Sequence, residues 1–295
     1  MKTKVKNKRI KDEIAGTLFT ILPVLGIVVF TFIPLVMAFF MSFMDMTLTF
    51  EDATFYPIDD IFHNYITVLK DEYFWNAAKN NLILFIELPI SIIISVVVAE
   101  LLSKKVKFTK VFKVILFIPY VCSVAATTFM WNWILDPNYG IINQLLGTNI
   151  DWFSNELFVW SIMIMGLWTT CGYRILLFTA AITNVNSSLK EAARIDGAGP
   201  LRVFWHVTVP AITPTIFYVL VMGLIGIFQE FTRIQVLGGY TKCNTIVYYI
   251  YEHGWGGTPQ MGIACAASVI LALLIFGLTK LNFALSKKWV TYDVD

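Results

Sequence analysis

The sequence predicts an all-α polytopic membrane protein with six transmembrane helices, and three observations lead to this fold class. Of its 295 residues, 57% are hydrophobic and 14% are charged, whereas about 25% of the residues in soluble domains are charged. Six apolar segments are long enough for a helix to cross a bilayer. The segments between them alternate between rich and poor in basic residues, which is the charge asymmetry of helical membrane proteins.

The first predicted span, at about 14–43, follows a basic tail at 1–13 and is too long for the apolar core of a signal peptide. Pro23 and Pro34 are expected to bend it, which neighbouring helices can accommodate. A second tail, 286–295, ends the chain, and residues 14–285 are predicted to form one transmembrane domain. The other five spans are predicted at about 81–103, 114–135, 158–183, 215–237 and 261–285.

The positions of the basic residues predict how the spans are oriented. Most of the 22 lysines and arginines lie in the two tails, after the second span, and between the fourth and fifth spans. Lys280 lies near the inner end of the sixth span, and the exceptions are Lys70, Lys79, Lys242, Arg174 and Arg233. Because basic residues accumulate on the cytoplasmic side of a membrane, both termini and the loop 184–214 are predicted to be cytoplasmic.

This loop, 184–214, is predicted to form two short helices joined by an elbow. Ser188 and Glu191 have the spacing of a capping box at a helix start. Gly197 and Gly199 break the first helix, and Pro200 suits the first turn of the second. One face of the second helix is predicted to pack back on the protein, through Leu201, Phe204, Trp205 and Thr208.

The run Glu191-Ala192-Ala193, followed by Gly197 and by Val209-Pro210, resembles the EAA loop of the membrane subunits of ATP-binding-cassette importers. The resemblance extends over nearly the whole chain and implies the fold of a type I importer permease. In that family the loop docks in a cleft of a separate ATPase subunit. The residues that it implies for coupling are Glu191, Ala192, Ala193, Asp196, Gly197 and Pro210. An ordinary amphipathic cytoplasmic loop is the alternative interpretation.

Polar side chains within the fourth and fifth predicted spans indicate where a solute passes. Ionisable residues at bilayer depth are costly and usually face a cavity or a partner. The clusters are Trp168, Thr169, Thr170, Tyr173 and Arg174 on the fourth span, and Gln229, Glu230, Thr232 and Arg233 on the fifth. Aromatic rings and planar polar groups suit sugars. A purely structural ion pair of Glu230 with Arg174 or Arg233 is the alternative, and Glu87 is interpreted as interfacial.

The same regions resemble the pocket-lining stretches of maltose-type permeases. This resemblance implies that the pocket is lined by Thr169, Thr170, Tyr173, Gly223, Ile227 and Glu230. Trp168, Gln229 and Arg233 are added on physical grounds. The arginines at 174 and 233 and the glutamate at 230 depart from the family pattern, so an acidic sugar or sugar phosphate remains open as the substrate.

The chain is predicted to be a transport subunit and not an enzyme. It has no G-x-x-x-x-G-K-[ST] sequence for holding phosphates, and its scattered histidines and cysteines predict no metal site. The resemblance therefore implies that ATP and Mg²⁺ bind to a partner ATPase dimer and that no cofactor binds this chain. It also implies a second related permease, an extracytoplasmic solute-binding protein and a location in the bacterial cell membrane. The lipid bilayer is the other expected partner, and no nucleic acid is expected.

Two other function classes fit parts of the sequence. An ion-coupled secondary transporter of a small polar solute would use Arg174, Glu230 and Arg233 as a relay. A receptor or scaffold would carry no solute at all. The EAA-like loop favours the ATP-driven sugar importer over both.

Overall fold

The computed structural model describes residues 16–104, 107–238 and 244–291, and most of them are helical. Five helices are long and apolar enough to cross a membrane, and one bent pair of helices is a sixth candidate. The predicted all-α polytopic fold is confirmed. The basic tail 1–13, Lys242 and the last part of the second tail, 292–295, lie outside the described residues.

The chain divides into two compact units, of which the first holds 16–70 and 252–269 of the described residues. Helix α1 (Gly16–Met41) contains a π-helical turn and has no buried residue within this chain. A two-stranded antiparallel ribbon of β1 (Met44–Asp45) and β2 (Thr54–Phe55) follows, and then α2 (His63–Lys70). The buried amide of Asn64 donates to the carbonyls of Ser42 and Met44, which fixes α2 against the end of α1.

The second unit holds 71–104, 107–238, 244–251 and 270–291 of the described residues. Helices α14 and α15 contribute residues to both units. The remaining elements are α3 (Glu72–Leu84), α4 (Glu87–Ser103), α5 (Thr109–Val121), α6 (Val124–Ile134), α7 (Ile141–Leu146), α8 (Phe158–Asn184), α9 (Ser187–Ile195), α10 (Pro200–Val203), α11 (Val209–Ala211), α12 (Thr213–Phe228), α13 (Thr232–Val236), α14 (Ile246–Trp255) and α15 (Met261–Ser286).

Helix α8 is the centre of the second unit and packs along both α4 and α5. Small buried residues on α4, which are Ser91, Ser95 and Ala99, recur every four positions and form one smooth face. Small residues allow helix backbones to approach closely in membrane proteins. The Ser95 hydroxyl reaches the carbonyl of Cys171 on α8 at 3.4 Å. The close contact of α4 and α8 therefore follows from the side-chain sizes.

Prolines and polar residues interrupt several of the predicted spans. Pro89 cannot donate a hydrogen bond to the carbonyl of Phe85, and α3 ends just before α4 begins. The span predicted at 114–135 corresponds to α5 and α6, which are bent by 99° at a short break after Pro119. The span predicted at 215–237 corresponds to α12 and α13, which are separated by the non-helical residues 229–231.

The packing of α5 on α8 depends on Gly172. A Cβ atom at this position would overlap the carbonyl oxygen of Leu116. We expect Gly172→Ala to lower the free energy of unfolding by about 1–3 kcal/mol, because overpacking displaces a backbone that cannot yield easily. The measurement is thermal unfolding of the purified chain in detergent.

Gly277→Ala is the matched control, because it makes the same change on α15 at a glycine with no atom within 4 Å of the added carbon. This control should be neutral or slightly stabilising, since alanine favours helix. Equal unfolding temperatures for the two variants would contradict the close packing at Gly172.

Candidate functional site

A cavity of about 420 Å³ lies within the second unit, between α4, α5, α8, α12 and α13. Its volume falls in the usual range for small-molecule pockets, about 300–1,000 Å³. Charged, phenolic and small apolar side chains share the wall. The lining residues are Glu87, Tyr120, Thr170, Tyr173, Arg174, Tyr218, Val219, Met222, Gly223, Gly226, Ile227, Glu230 and Arg233.

One side of the cavity holds a buried ion pair between α4 and α8. Nη1 of Arg174 lies 3.6 Å from Oε1 of Glu87, and both side chains are less than 10% exposed. The Thr170 hydroxyl donates to the same carboxylate oxygen at 2.9 Å, and the Arg174 guanidinium donates to the Ser91 hydroxyl. These contacts satisfy both charges, as burial in an apolar bundle requires.

Two glycines make room for this ion pair. A Cβ on Gly166 would overlap the carboxylate of Glu87, and a Cβ on Gly223 would overlap the side chain of Leu88. The same atom on Gly223 would approach Nη2 of Arg174 to 3.3 Å. A larger residue at either position would displace the charged groups from the cavity wall.

A second ion pair lies at the break between α12 and α13. The Arg233 guanidinium contacts the carboxylate of Glu230, and the backbone N–H of Arg233 donates to the other oxygen of that carboxylate at 3.3 Å. Both side chains are less than 20% exposed. The predicted alternative of an ion pair at Glu230 is therefore present with Arg233, while Arg174 pairs with Glu87.

Three tyrosines complete the wall. The rings of Tyr120 and Tyr173 are stacked with their centroids 4.9 Å apart, and Tyr218 lines the same cavity. Tyr120 and Tyr218 are each 46% exposed. The phenolic side of the cavity is thus the side that this chain leaves open.

Buried polar contacts hold the break at 229–231 open. The fully buried Asn81 donates to the carbonyl of Ile227 at 3.1 Å and accepts from the backbone N–H of Ile246 at 3.0 Å. The Thr245 hydroxyl donates to the carbonyl of Glu230 at 2.7 Å. The backbone groups beside the break are therefore hydrogen-bonded by these side chains. In an apolar environment, such groups need a partner within the protein.

The start of α3 is tied to α14 by a hydrogen bond from the Tyr249 hydroxyl to the carboxylate of Asp71, at 2.7 Å. Burial and this hydrogen bond raise the pKa of Tyr249, so the hydroxyl stays protonated and remains a donor. The Asp71 side chain also accepts from the N–H of Tyr73 and caps α3. The same helix that carries Asn81 is thereby fixed at its beginning.

The structure brings most of the sequence-predicted path residues together, but not all of them. Those in the cavity wall are Thr170, Tyr173, Arg174, Gly223, Ile227, Glu230 and Arg233. Trp168 instead packs edge-on against Trp131, and the Thr169 hydroxyl donates to the carbonyl of Met165 within its own helix. Gln229 is exposed at the end of α12, outside the lining.

The sequence analysis missed Glu87, Tyr120 and Tyr218. The interfacial interpretation of Glu87 is wrong, because its carboxylate is buried beside Arg174. The sequence did contain a signal for Glu87, because it places an acid in one apolar run and an arginine in another. Ionisable residues within membrane helices commonly pair with one another. No signal in the sequence distinguishes Tyr120 and Tyr218 from ordinary lipid-facing tyrosines.

The loop 184–214 folds as two short helices joined by an elbow. Gly197 has a φ of +81° and ends α9. The N–H groups of Gly197 and Ala198 donate to the carbonyls of Arg194 and Ala193, which is the Schellman arrangement. Pro200 then occupies the first turn of α10.

Two local expectations for this loop are wrong. Asn186 caps α9 by accepting from the N–H of Ser188, so the N-cap lies two residues before the predicted Ser188 cap. Of the predicted packing face, Phe204 and Thr208 are buried, whereas Leu201 is 74% and Trp205 56% exposed. A π-helical turn at Phe204–Thr208 shifts the face away from ordinary helical spacing.

The residues predicted for coupling lie on the outer surface of this loop. Glu191, Ala192, Asp196 and Gly197 are exposed, and Ala193 and Pro210 are partly buried. The apolar side chains of Ile195 and Leu201 are also exposed, at 86% and 74%. The elbow thus presents a mixed polar and apolar surface that this chain does not cover.

Within the described residues, no group of three or more histidine, cysteine, aspartate or glutamate side chains is arranged to hold a metal ion. The membrane-length helices, the cavity between them and the exposed loop 184–214 are those of a helical membrane protein.

Residues 91–289 match the family described as binding-protein-dependent transport system inner membrane component, and the chain belongs to this family. It is 30% identical over 239 residues to the sn-glycerol-3-phosphate transport system permease protein UgpA of Yersinia pestis bv. Antiqua (strain Antiqua), covering 78% of this chain and 81% of the relative. It is 29% identical to the probable ABC transporter permease protein YesP of Bacillus subtilis (strain 168), and this match covers 96% of this chain and 94% of YesP.

The fold also matches a solved structure of a bacterial alginate ABC transporter in complex with an alginate pentasaccharide-bound periplasmic protein. The TM-score is 0.82 at 24% identity, and the match covers 97% of this chain and 99% of the other. The predicted permease fold is confirmed, and the relatives named above are themselves permease proteins, in agreement with the predicted transport role.

The Asn81 contacts lead to a prediction for the break in the fifth span. We expect Asn81→Ala to lower the free energy of unfolding by about 1–3 kcal/mol, because it takes the acceptor from the buried N–H of Ile246. It also removes one of the two donors to the carbonyl of Ile227, which keeps the N–H of Glu230. Hydrogen-exchange mass spectrometry should show faster exchange at residues 227–236 and 244–249.

Asn184→Ala is the control, since Asn184 is exposed at the end of α8. It should leave exchange at both segments unchanged. Unaltered exchange in Asn81→Ala would show that other contacts hold the break.

Proposed function

We propose that this chain is one of two related permease subunits of an ATP-driven sugar importer in the bacterial cytoplasmic membrane. It receives a sugar or oligosaccharide from an external binding protein and passes it to the cytoplasm. The observation that carries the proposal is the cavity lined by tyrosines and two arginine–glutamate pairs, within a chain of the binding-protein-dependent permease family.

The chemistry of the cavity supports a polyhydroxylated solute. Hydroxyl groups of a sugar both donate and accept, which suits carboxylate, guanidinium and phenol side chains placed side by side. The rings of Tyr120 and Tyr218 offer apolar faces for the C–H surfaces of a sugar. The proposed path within this chain comprises these lining residues, and Trp168, Thr169 and Gln229 stand close to it in sequence.

The open phenolic side supports a second permease subunit. Tyr120, Tyr218 and Met222 line the cavity yet are about half exposed in this chain. A related permease that covers this side would enclose the solute path. The alginate importer of similar fold, which is in complex with a periplasmic binding protein, supports an external binding protein as a further partner.

The elbow of 184–214 supports coupling to a separate ATPase dimer. Its outer surface carries the exposed residues of the EAA-like run, and the Schellman turn at Gly197 gives it a defined shape. Mg²⁺ and ATP would bind to the ATPase subunits, whose closure moves the helices through this loop. The proposal includes cytoplasmic termini, in agreement with the distribution of basic residues.

Ion coupling through Arg174, Glu230 and Arg233 is not favoured. Each arginine is engaged by a neighbouring carboxylate, and membership of the binding-protein-dependent family implies an ATP-driven transporter.

Reconstitution tests the proposed function. The complete importer, isolated through an affinity tag on this chain, should take up sugar into proteoliposomes only with ATP and the binding protein. Uptake should persist when ionophores collapse all ion gradients. Uptake that needs an ion gradient and no ATP would overturn the proposal in favour of a secondary transporter.

The elbow gives a more specific prediction. Gly197→Val should lower ATP-dependent uptake by roughly tenfold or more, because a β-branched residue is strained at positive φ by about 1–3 kcal/mol. The amount of chain inserted in the membrane should remain normal, since no other atom lies within 4 Å of the new Cβ.

Gly199→Val is the matched control, because Gly199 has a φ of −67°, which valine adopts freely, and is equally uncrowded. Its uptake should stay near that of the unmodified importer. Similar uptake in the two variants would contradict a requirement for the turn at Gly197.

A further inference from the structure

We propose that the cavity takes an uncharged polyhydroxyl solute, a neutral sugar or oligosaccharide, and excludes sugars that carry carboxylate or phosphate groups. The inference rests on the proposed function and adds the charge class of the substrate. It is carried by the way in which the four charged groups of the wall are paired.

The wall contains two cations and two anions, and each cation is matched within this chain. The Arg174 guanidinium contacts Glu87 and Ser91, and the Arg233 guanidinium contacts Glu230. The described lining contains no lysine, no histidine and no third arginine. The formal charge of the part of the wall that this chain supplies is therefore balanced before any solute enters.

An anionic sugar would meet a cost at these ion pairs whether or not it displaces a guanidinium from its carboxylate. Displacement of Arg174 would leave the Thr170 hydroxyl as the one side-chain hydrogen-bond donor to the buried Glu87 carboxylate among the described residues. A buried charge that loses its partner is strongly unfavourable. Without displacement, the anion would lie beside Glu87 or Glu230 and be repelled.

A neutral sugar meets no such penalty, because the ion pairs retain unused hydrogen-bonding capacity. A guanidinium has five N–H donors and a carboxylate about four acceptor positions, of which one ion pair uses only some. Hydroxyl groups of a solute are able to donate to Glu230 and accept from Arg233 while the pair stays intact. The same pairs that repel an anion thus hold hydroxyl groups in defined positions.

The charge class proposed for this chain differs from the cargo named for two proteins that it resembles. The relative that is 30% identical is named for sn-glycerol-3-phosphate transport, and the importer of similar fold imports the acidic polysaccharide alginate. The assignment follows from the lining of this chain, where Glu87 and Glu230 compensate the arginines.

The test offers a mixture of neutral and acidic oligosaccharides to the complete importer. Proteoliposomes are given digests of a neutral glucan or mannan together with digests of polygalacturonate, and the imported sugars are identified by mass spectrometry. We expect neutral oligosaccharides inside and acidic ones outside. Preferential import of acidic oligosaccharides would overturn the charge assignment while leaving the importer proposal intact. ATP-dependent import of neither class would overturn the proposed function itself.

Charge variants test the pairing directly. Glu87→Gln leaves the charge of Arg174 without its carboxylate. We expect this change to raise the ratio of acidic to neutral oligosaccharides imported by about tenfold, which corresponds to the free energy of one hydrogen bond between charged groups. Glu230→Gln, at a less buried pair, should shift the ratio in the same direction. The double variant Glu87→Gln/Arg174→Gln should lose the gain, because the free guanidinium is then absent.

Glu100→Gln is the matched control, since Glu100 lies on the same helix, pairs with Lys104 and is not in the cavity lining. It should leave the ratio unchanged. Import is normalised to the amount of assembled importer, so that a loss of folding does not imitate a change of selectivity. Unchanged ratios in both Glu87→Gln and Glu230→Gln would overturn the proposal.

Discussion

A charge buried among apolar helices has to be paired, and the contact between Arg174 and Glu87 is where this chain meets that requirement. The pair joins α4 to α8, the two helices that form the centre of the second unit. It depends in turn on Gly166 and Gly223, whose missing side chains leave room for the carboxylate and for the groups beside the guanidinium. The close packing at these two glycines and the pairing of the charges therefore depend on each other, and both shape the wall of the cavity.

The same requirement for partners applies to the main chain where the fifth span is interrupted. A helix that ends within an apolar region exposes carbonyl and N–H groups that no water reaches. Asn81 and Thr245 supply the missing partners on either side of residues 229–231. The break in turn brings Glu230 and Arg233 into the cavity wall with their charges already matched. A local irregularity of the backbone thus becomes part of the proposed solute path.

The elbow and the cavity place opposite demands on the chain. The cavity needs buried groups with complete sets of partners, whereas the elbow needs a defined shape with an uncovered surface. The Schellman turn at Gly197 meets the second demand by satisfying its own carbonyls, which leaves the side chains of α9 exposed. A separate protein that fits this surface is what the proposed coupling to an ATPase requires.

By itself, the sequence determined the fold class, the approximate positions of the long apolar helices, and the elbow. Apolar length and the positions of glycine and proline are local properties of a sequence. It also indicated Arg174, Glu230 and Arg233, since intramembrane charges stand out in any apolar run.

Only the tertiary structure decided which charge pairs with which. It placed Glu87 in the cavity wall, where the sequence predicted an interfacial residue, and it excluded Trp168, Thr169 and Gln229 from the lining. It also placed Asn81 against the end of α12, far away in the sequence. The physical reason is that partners of buried polar groups are chosen by the packing of distant helices, which no local pattern records.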